Sequence, residues 1–422
     1  MLRNLLSTTA SRLIIAIINL CIIWISARYL GAEVLGTISL IILGISIIQL
    51  VTAILAGSSL VYQASRHSLA ELMTIAWIWI VLAGTPVWLI LNLLGLIPAE
   101  FSLDVLLLSF LGSLVTVNQN VFLGKEKINL FNGMAILQSI IVLAGLLFFV
   151  FVGKYYEAEA YVYAQYISLS LLSILGILFN LPFMQGFRVP RMKVIIEAFK
   201  YGGYLQAASI MQLFNYRLSY YLIEKFFDRA TLGIFSVGVQ IAESVWIISK
   251  SMAVLLYSRL SNNREKEYSI NLTLNFIKIT CVLTILVMGI IVLLPEKLFI
   301  LIFQSEFGAI TQVVSSLSIG ILAVSVSLMF SHYFSGTGKP IHNTISSGIG
   351  LVFTVVMGLT LIPAWGLVGA GITASISYLG SMIYQFFIFK HDTGVLYRSF
   401  VPSGKDFTKV KEEIKSLFGS AR

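Results

Sequence analysis

The sequence predicts an all-α polytopic membrane protein with about twelve transmembrane helices in two pseudo-symmetric six-helix bundles, and three observations carry this. Hydrophobic residues fill 58% of the 422 positions and charged residues only 11%, against roughly 25% charged in soluble domains. Apolar runs recur along almost the whole chain, and many reach the roughly 20 residues that a helix rising about 1.5 Å per residue needs to cross a bilayer. Short motifs of the first half also return at matching places in the second.

Cut at charged or Gly/Pro-marked turns, the first half gives spans near 4-28, 34-62, 71-96, 104-124, 128-152 and 159-182. The apolar segment after Arg3 is too long for a signal peptide and lacks an Ala-x-Ala cleavage site, so it reads as the first span. A basic stretch follows, in which Pro190 precedes Met192, Val194, Ile195, Ile196 and Phe199, and this predicts an interfacial helix. The second half gives spans near 201-224, 231-258, 269-294, 307-334, 341-363 and 367-389, with Pro363 to Gly366 splitting the uncharged run from 340 to 389. The expected domains are an N-terminal lobe (1-182), a cytoplasmic linker (183-200), a C-terminal lobe (201-391) and a basic tail (392-422). In the tail, Phe407, Val410, Ile414, Leu417 and Phe418 recur at helical spacing among lysines, predicting an amphipathic cytoplasmic helix.

Orientation follows from Lys and Arg in alternate loops. One side carries Arg3, Arg66, Lys125, Lys127, Arg188, Arg191, Lys193, Lys200, Arg259, Arg264, Lys266, Lys339 and the tail; the other carries only Arg28, Lys154, Lys225, Arg229 and Lys297. Both termini are therefore expected in the cytoplasm, and the formal charge of +9 reads as topogenic bias, with no nucleic-acid partner expected. Cys21 and Cys281 each sit inside a span, which supports neither a disulfide framework nor a metal site.

The halves echo one another. Leu35-Gly36-Thr37-Ile38-Ser39 opens the second span and Leu232-Gly233-Ile234-Phe235-Ser236 opens the eighth, while Gly124-Lys125 and Gly338-Lys339 follow the fourth and tenth. Two six-helix repeats inserted in the same orientation would place a central cavity between lobes.

Ionisable residues inside spans cost about 2.5 to 3.5 kcal/mol each on insertion scales, so their positions are informative. Five qualify: Arg12, Arg217, Glu243, Lys250 and Lys278. In the first span Asn4, Thr8, Ser11, Arg12, Asn19 and Ser26 share roughly one-third of the helix circumference. The seventh span repeats the pattern with Gly202, Gln206, Ser209, Tyr216, Arg217, Tyr220 and Glu224, and the eighth with Ser236, Gln240, Glu243 and Lys250. At about 1.5 Å per residue, Arg12 and Lys278 lie about 13 Å inside the cytoplasmic surface and Arg217 about 12 Å inside the outer one. Four cations and one carboxylate can thus line a water-filled cavity suited to an anionic head group such as a pyrophosphate or an acidic sugar. Lys250 and Lys278 are alternatively placed to snorkel. Glu243 reads as an ion-pair partner of Arg217 or Lys250, or as a site for proton or sodium coupling. Gln49, Asn118, Gln119, Asn120 and Gln138 read as interhelical hydrogen-bonding residues.

Ala27-Arg28-Tyr29-Leu30-Gly31-Ala32-Glu33-Val34-Leu35-Gly36 resembles the Arg-x-Leu-Gly-x-x-x-x-Gly signature after the first span of O-antigen and polysaccharide flippases. Asp228-Arg229-Ala230-Thr231-Leu232-Gly233-Ile234-Phe235-Ser236 is similar to the start of their eighth span, and Gly336-Thr337-Gly338-Lys339 resembles their loop after the tenth. The resemblance implies membership of the multidrug, oligosaccharidyl-lipid and polysaccharide exporter (MOP) superfamily, alternating access between two bundles, and an undecaprenyl-pyrophosphate-linked oligosaccharide as substrate. The family's cavity cations fall by position on Arg12, Arg217, Lys250 and Lys278. Lipid II flippases of the superfamily carry fourteen spans, so their extra groove is not expected. Multidrug exporters often use acidic residues in the first lobe, and no buried Asp or Glu is expected there.

The expectation is a monomeric flippase in a bacterial inner membrane, without a cofactor, with H+ or Na+ coupling left open. Membrane lipids and polysaccharide polymerase machinery are its expected partners. The alternatives are a multidrug or organic-cation antiporter of the same fold and a membrane glycosyltransferase or polymerase. Short outer loops, with no Asp-x-Asp pair or clustered His at a span end, weigh against the enzyme.

Overall fold

The computed structural model describes residues 2–64, 67–184, 191–262 and 265–400. The described chain is helical throughout its regular structure: α1 (Leu2–Leu30), α2 (Ala32–Ala56), α3 (Ser58–Gln63), α4 (Leu69–Leu93), α5 (Ser102–Gly124), α6 (Ile128–Phe151) and α7 (Glu159–Asn180). After these come α8 (Met192–Phe226), α9 (Arg229–Ser244), α10 (Trp246–Asn262), α11 (Lys266–Val292), α12 (Glu296–Phe303), α13 (Ile310–Gly336) and α14 (Ile341–Thr393). This is an all-α, multi-pass membrane protein. Leu82, Leu93 and Leu293 are 64%, 76% and 83% exposed, a surface that lipid tails match and water does not.

Among the described residues, nine helices are long and apolar enough to span a bilayer, and ten if the bent pair α9 and α10 forms one span. Two adjustments bring this to the twelve the sequence predicts. Helix α14 is 53 residues long, roughly 80 Å against a hydrocarbon core of about 30 Å, so it must cross twice. It turns at Gly366 (φ 54, ψ −126), inside the predicted Pro363 to Gly366 break, in a left-handed region that glycine enters without steric cost. Helix α8 is the other addition. Its 35 residues carry Arg217, Glu224 and several amides and hydroxyls, which hold it below the apolar threshold although its length suffices.

The chain forms two compact units, Met1–Val237 with Lys297–Ala309 and Gly238–Glu296 with Ile310–Arg422. In the first, α2 packs on α4, α5 and α8, α1 packs on α6, and α7 packs on α5 and α6. Because lipid is as apolar as Leu, such packing relies on close contact and small residues. A Cβ on Gly202 of α8 would lie 1.8 Å from the Ile54 carbonyl oxygen of α2, and one on Gly176 of α7 would meet Asn118 of α5 at 2.6 Å. In the second unit α13 packs on α10, α11 and α14 around buried Leu256, Phe330, Phe334 and Phe389.

Within the predicted linker, residues 192–200 form the first turns of α8, with Met192, Ile196 and Phe199 exposed. There Val194 and Ala198 are buried in one core with Leu55, Leu60, Met73 and Val117, and Ser59 Oγ donates to the Ala198 carbonyl at 3.0 Å. The amphipathic tail segment, together with Arg66, Arg188 and Arg264, lies outside the described residues.

Candidate functional site

The first unit holds Arg12, Asn19, Gln206, Arg217 and Tyr220. The stripe on α1 is sorted by burial. Ser11 and Ser26 are buried, Ser11 Oγ donating to the Ser7 carbonyl, and Thr8 Oγ1 accepts from Asn132 of α6 at 3.1 Å. Arg12 and Asn19 are exposed, so the helix commits its hydroxyls to protein and leaves the cation and the amide outward. On α8 Tyr220 is 5% exposed, with its ring 5.7 Å from that of Phe235. The Arg217 guanidinium lies over the Tyr220 ring, 5.3 Å from its centroid, within reach of a cation–π contact. Gln206 is half-buried, and its amide nitrogen would lie 3.2 Å from a Cβ built on Gly57.

The second unit holds Gln240, Glu243, Lys250 and Lys278. The sequence reads 231-258 as one span, but the helix breaks at Val245 and its two arms bend by 42°. Glu243 and Lys250 stand on opposite sides of the break, so the predicted stripe does not continue through it. Ser236, a member of that stripe, is fully buried and donates to the Gly233 carbonyl at 2.9 Å. Lys250 is exposed, its ammonium 5.6 Å from the centroid of the Trp246 ring. Glu243 and Lys278 are half-buried, and neither they nor Arg217 is free of a partner. Broken helices at membrane depth occur where backbone lines a cavity or a binding site.

One expectation is corrected. Glu71, in the first turn of α4, is 1% exposed, a buried carboxylate in the first lobe where none is expected. Arg191 answers it in full: its backbone N–H donates to Oε1 at 2.8 Å, and Nε and Nη2 donate to the two oxygens at 3.1 Å each. A carboxylate held bidentately by one arginine is a clamp between α4 and the start of α8. Sequence position places Glu71 at a span end, where carboxylates are usually solvated; its partner Arg191 lies 120 residues away, so the pair is not legible locally.

Two of the remaining polar residues cross-link helices. Asn118 Nδ2 donates to the Ser173 carbonyl at 3.4 Å and Asn120 Nδ2 to the Ala56 carbonyl at 2.8 Å. Among the described residues no group of three or more His, Cys, Asp or Glu is arranged to hold a metal ion.

The repeat motifs meet each other within the first unit. A Cβ on Gly36 of α2 would lie 1.9 Å from the Arg229 carbonyl oxygen, and one on Gly233 of α9 would lie 1.9 Å from that of Ala32. The turns leading into these helices are braced alike. The Ala32 N–H donates to Glu306 Oε2 at 3.1 Å, and the Arg229 guanidinium is paired with Glu100 and lies 3.6 Å from Glu224.

No family model matches the chain. In sequence it is 26% identical over 172 residues to the capsular polysaccharide biosynthesis protein CapF of Staphylococcus aureus. That alignment covers 40% of this chain and 43% of CapF, so the match spans less than half of either protein. In fold it is similar to the lipid II flippase MurJ in an inward closed conformation, with a TM-score of 0.75 at 15% identity over 99% of this chain and 92% of MurJ. It is also similar to an inward-facing multidrug resistance MATE family transporter of the MOP superfamily, with a TM-score of 0.71 at 16% identity over 92% and 94% of the two chains. The chain therefore has the fold of the MOP-superfamily transporters. The resemblance carried by Ala27 to Gly36 and by Asp228 to Ser236 is borne out by these neighbours and by the CapF match.

Proposed function

We propose that this protein is a flippase that moves an undecaprenyl-pyrophosphate-linked oligosaccharide, an O-antigen or related polysaccharide repeat unit, from the cytoplasmic to the outer face of a bacterial inner membrane. The observation that carries the reading is a transporter fold whose spans bear Arg12, Arg217, Lys250 and Lys278, with Arg217 and Lys250 set near the Tyr220 and Trp246 rings. Four cations against one carboxylate, Glu243, are a costly set to keep inside spans, and an anionic substrate gives them a use. The local identity to a capsular polysaccharide biosynthesis protein favours the same substrate class. Alternating access through a cationic central cavity is the mechanism, with Asn19, Gln206, Tyr220 and Gln240 contacting the sugar or diphosphate, and Glu243 pairing charge or coupling an ion.

A multidrug antiporter shares the fold, and the buried Glu71 removes one argument against it. Bound as it is by Arg191, however, Glu71 is not open to an organic cation.

The test is reconstitution into liposomes with a fluorescent undecaprenyl-pyrophosphate oligosaccharide, following its protein-dependent exposure on the opposite leaflet. Exposure is expected, lost in Arg217→Ala and partly kept in Arg217→Lys, because lysine restores the charge without the planar fork. Export of a cationic dye with no movement of the lipid-linked sugar would overturn the proposal in favour of the drug exporter.

A further inference from the structure

A polar cavity lies wholly within the second unit, where the end of α13, the start of α11 and the end of α14 converge. Its volume is about 580 Å³, and Lys266, Ser269, Tyr333, Thr337, Lys339 and Asp392 are among the residues that line it. This is the size of a small-molecule site, and none of these residues belongs to the spans' cationic set.

Its chemistry is one-sided. Ser269 Oγ donates to the Glu265 carbonyl at 2.9 Å and Thr337 Oγ1 to the Tyr333 carbonyl at 2.8 Å, so both hydroxyls spend their protons on their own helices. The side-chain donors that remain among these six are the Lys266 and Lys339 ammoniums and the Tyr333 phenol. Lys266 is the first residue of α11, at the positive end of the helix dipole. Against this stands one acid. Asp392 Oδ2 holds Lys339 Nζ at 2.5 Å, at a place where the lysine side chain is 51% exposed and the aspartate 21%. Among the described lining residues, two lysines and one aspartate leave one positive charge in excess.

We propose that this cavity binds a phosphate group, which pairs with Lys266 and takes Lys339 away from Asp392. Lys339 is then held by an internal carboxylate in the resting state and released to an anion of higher charge density on binding. Two sources can present that chemistry, the headgroup of an anionic phospholipid in the surrounding leaflet and a free or substrate-borne diphosphate. The proposal is independent of what the protein transports, because it concerns binding alone.

The experiment uses the full chain purified in a neutral detergent. One arm counts phosphatidylglycerol against phosphatidylcholine retained in native mass spectra, and the other titrates inorganic pyrophosphate by calorimetry. Saturable binding in one arm is expected, and that arm names the source. Lys266→Gln combined with Lys339→Gln should weaken it about tenfold or more, the loss expected for two charge-assisted hydrogen bonds. Asp392→Asn should tighten it, because the competitor for Lys339 is gone, and Lys127→Gln, outside the cavity, should leave it unchanged. If the double variant fails to fold, as judged by size-exclusion profile and thermal midpoint, Lys339→Gln alone gives the same readout. No saturable binding in either arm, equal binding by wild type and the lysine variants, or an equal loss in Lys127→Gln overturns the proposal.

Discussion

Asp228 stands before the first residue of α9 and accepts the Thr231 backbone N–H at 2.7 Å, the position and bond of a helix N-cap. The Thr231 backbone bond first, then the Thr231 side chain and the Ala230 amide, hold its carboxyl below the ordinary aspartate value. A carboxylate depressed on folding stabilises at pH values above its unfolded pKa of about 4, and that contribution is lost as pH falls through the folded value. Asp228→Ala should therefore lower the thermal unfolding midpoint at pH 7 by the equivalent of about 0.5 to 1 kcal/mol, the low end for a cap at an exposed site. The gap to wild type should stay constant at pH values above the unfolded pKa and close as pH falls through the lower folded one. A gap that persists in acid would mean that shape, not charge, makes the cap. The Glu71 and Arg191 pair gives a second residue-scale test, because its partners are buried so differently, at 1% and 67% side-chain exposure. Arg191→Ala strands a carboxylate away from water, whereas Glu71→Gln leaves a guanidinium that water can solvate. The arginine variant should lower the unfolding midpoint more, and the reverse order would show that Glu71 reaches solvent without its partner.

At the scale of elements, the motif echoes read from the sequence have a physical cause. Gly36 and Gly233 repeat because each lets a helix start press against a backbone carbonyl of the other, and an alanine at either would put a Cβ 1.9 Å from that oxygen. Gly36→Ala and Gly233→Ala should each cost about 1 to 3 kcal/mol, as overpacking does. The double variant should cost less than the sum, because the first methyl already opens the crossing the second would clash with. Additive losses in a thermal-unfolding cycle would mean that the two glycines do not share one contact. Those echoes were legible because a helix crossing needs a small residue at a fixed place, as was the turn at Gly366, where Pro363 and glycine announce a break. The break at Val245 was not: Ser244, Val245 and Trp246 carry no helix breaker, so nothing local marks it. The burial of 192–198 against α2 to α5 was hidden for a similar reason. A basic segment with scattered apolar residues reads the same whether its apolar face meets lipid headgroups or another helix. The site residues were legible as types, since charge inside a span is rare, but not as sets. Burial sorts α1 into Ser11 and Ser26 facing protein and Arg12 and Asn19 facing out, and periodicity alone places all four on one face.

For the whole molecule, the proposed reading ties charge to energy. The chain carries 28 Lys and Arg against 19 Asp and Glu, and the cations on its spans are matched to a diphosphate that must leave a compartment held electrically negative. Moving two net negative charges outward across 100 mV releases about 4 to 5 kcal/mol, which shifts the equilibrium about a thousandfold or more toward the outer leaflet. With that term available, no ion gradient is required. Liposomes holding an inside-negative potential, set by a potassium gradient and valinomycin, should therefore accumulate the lipid-linked sugar outside well beyond the equal partition reached without a potential. If exposure is protein-dependent and Arg217-dependent but indifferent to potential, the carried charge must be cancelled in transit. The half-buried carboxylate at Glu243, beside the break in its helix, is then the group to examine, because two monovalent cations, protons or sodium ions, moving with the substrate would cancel its two negative charges. Glu243→Gln would restore the dependence on potential in that case and leave it untouched in the first.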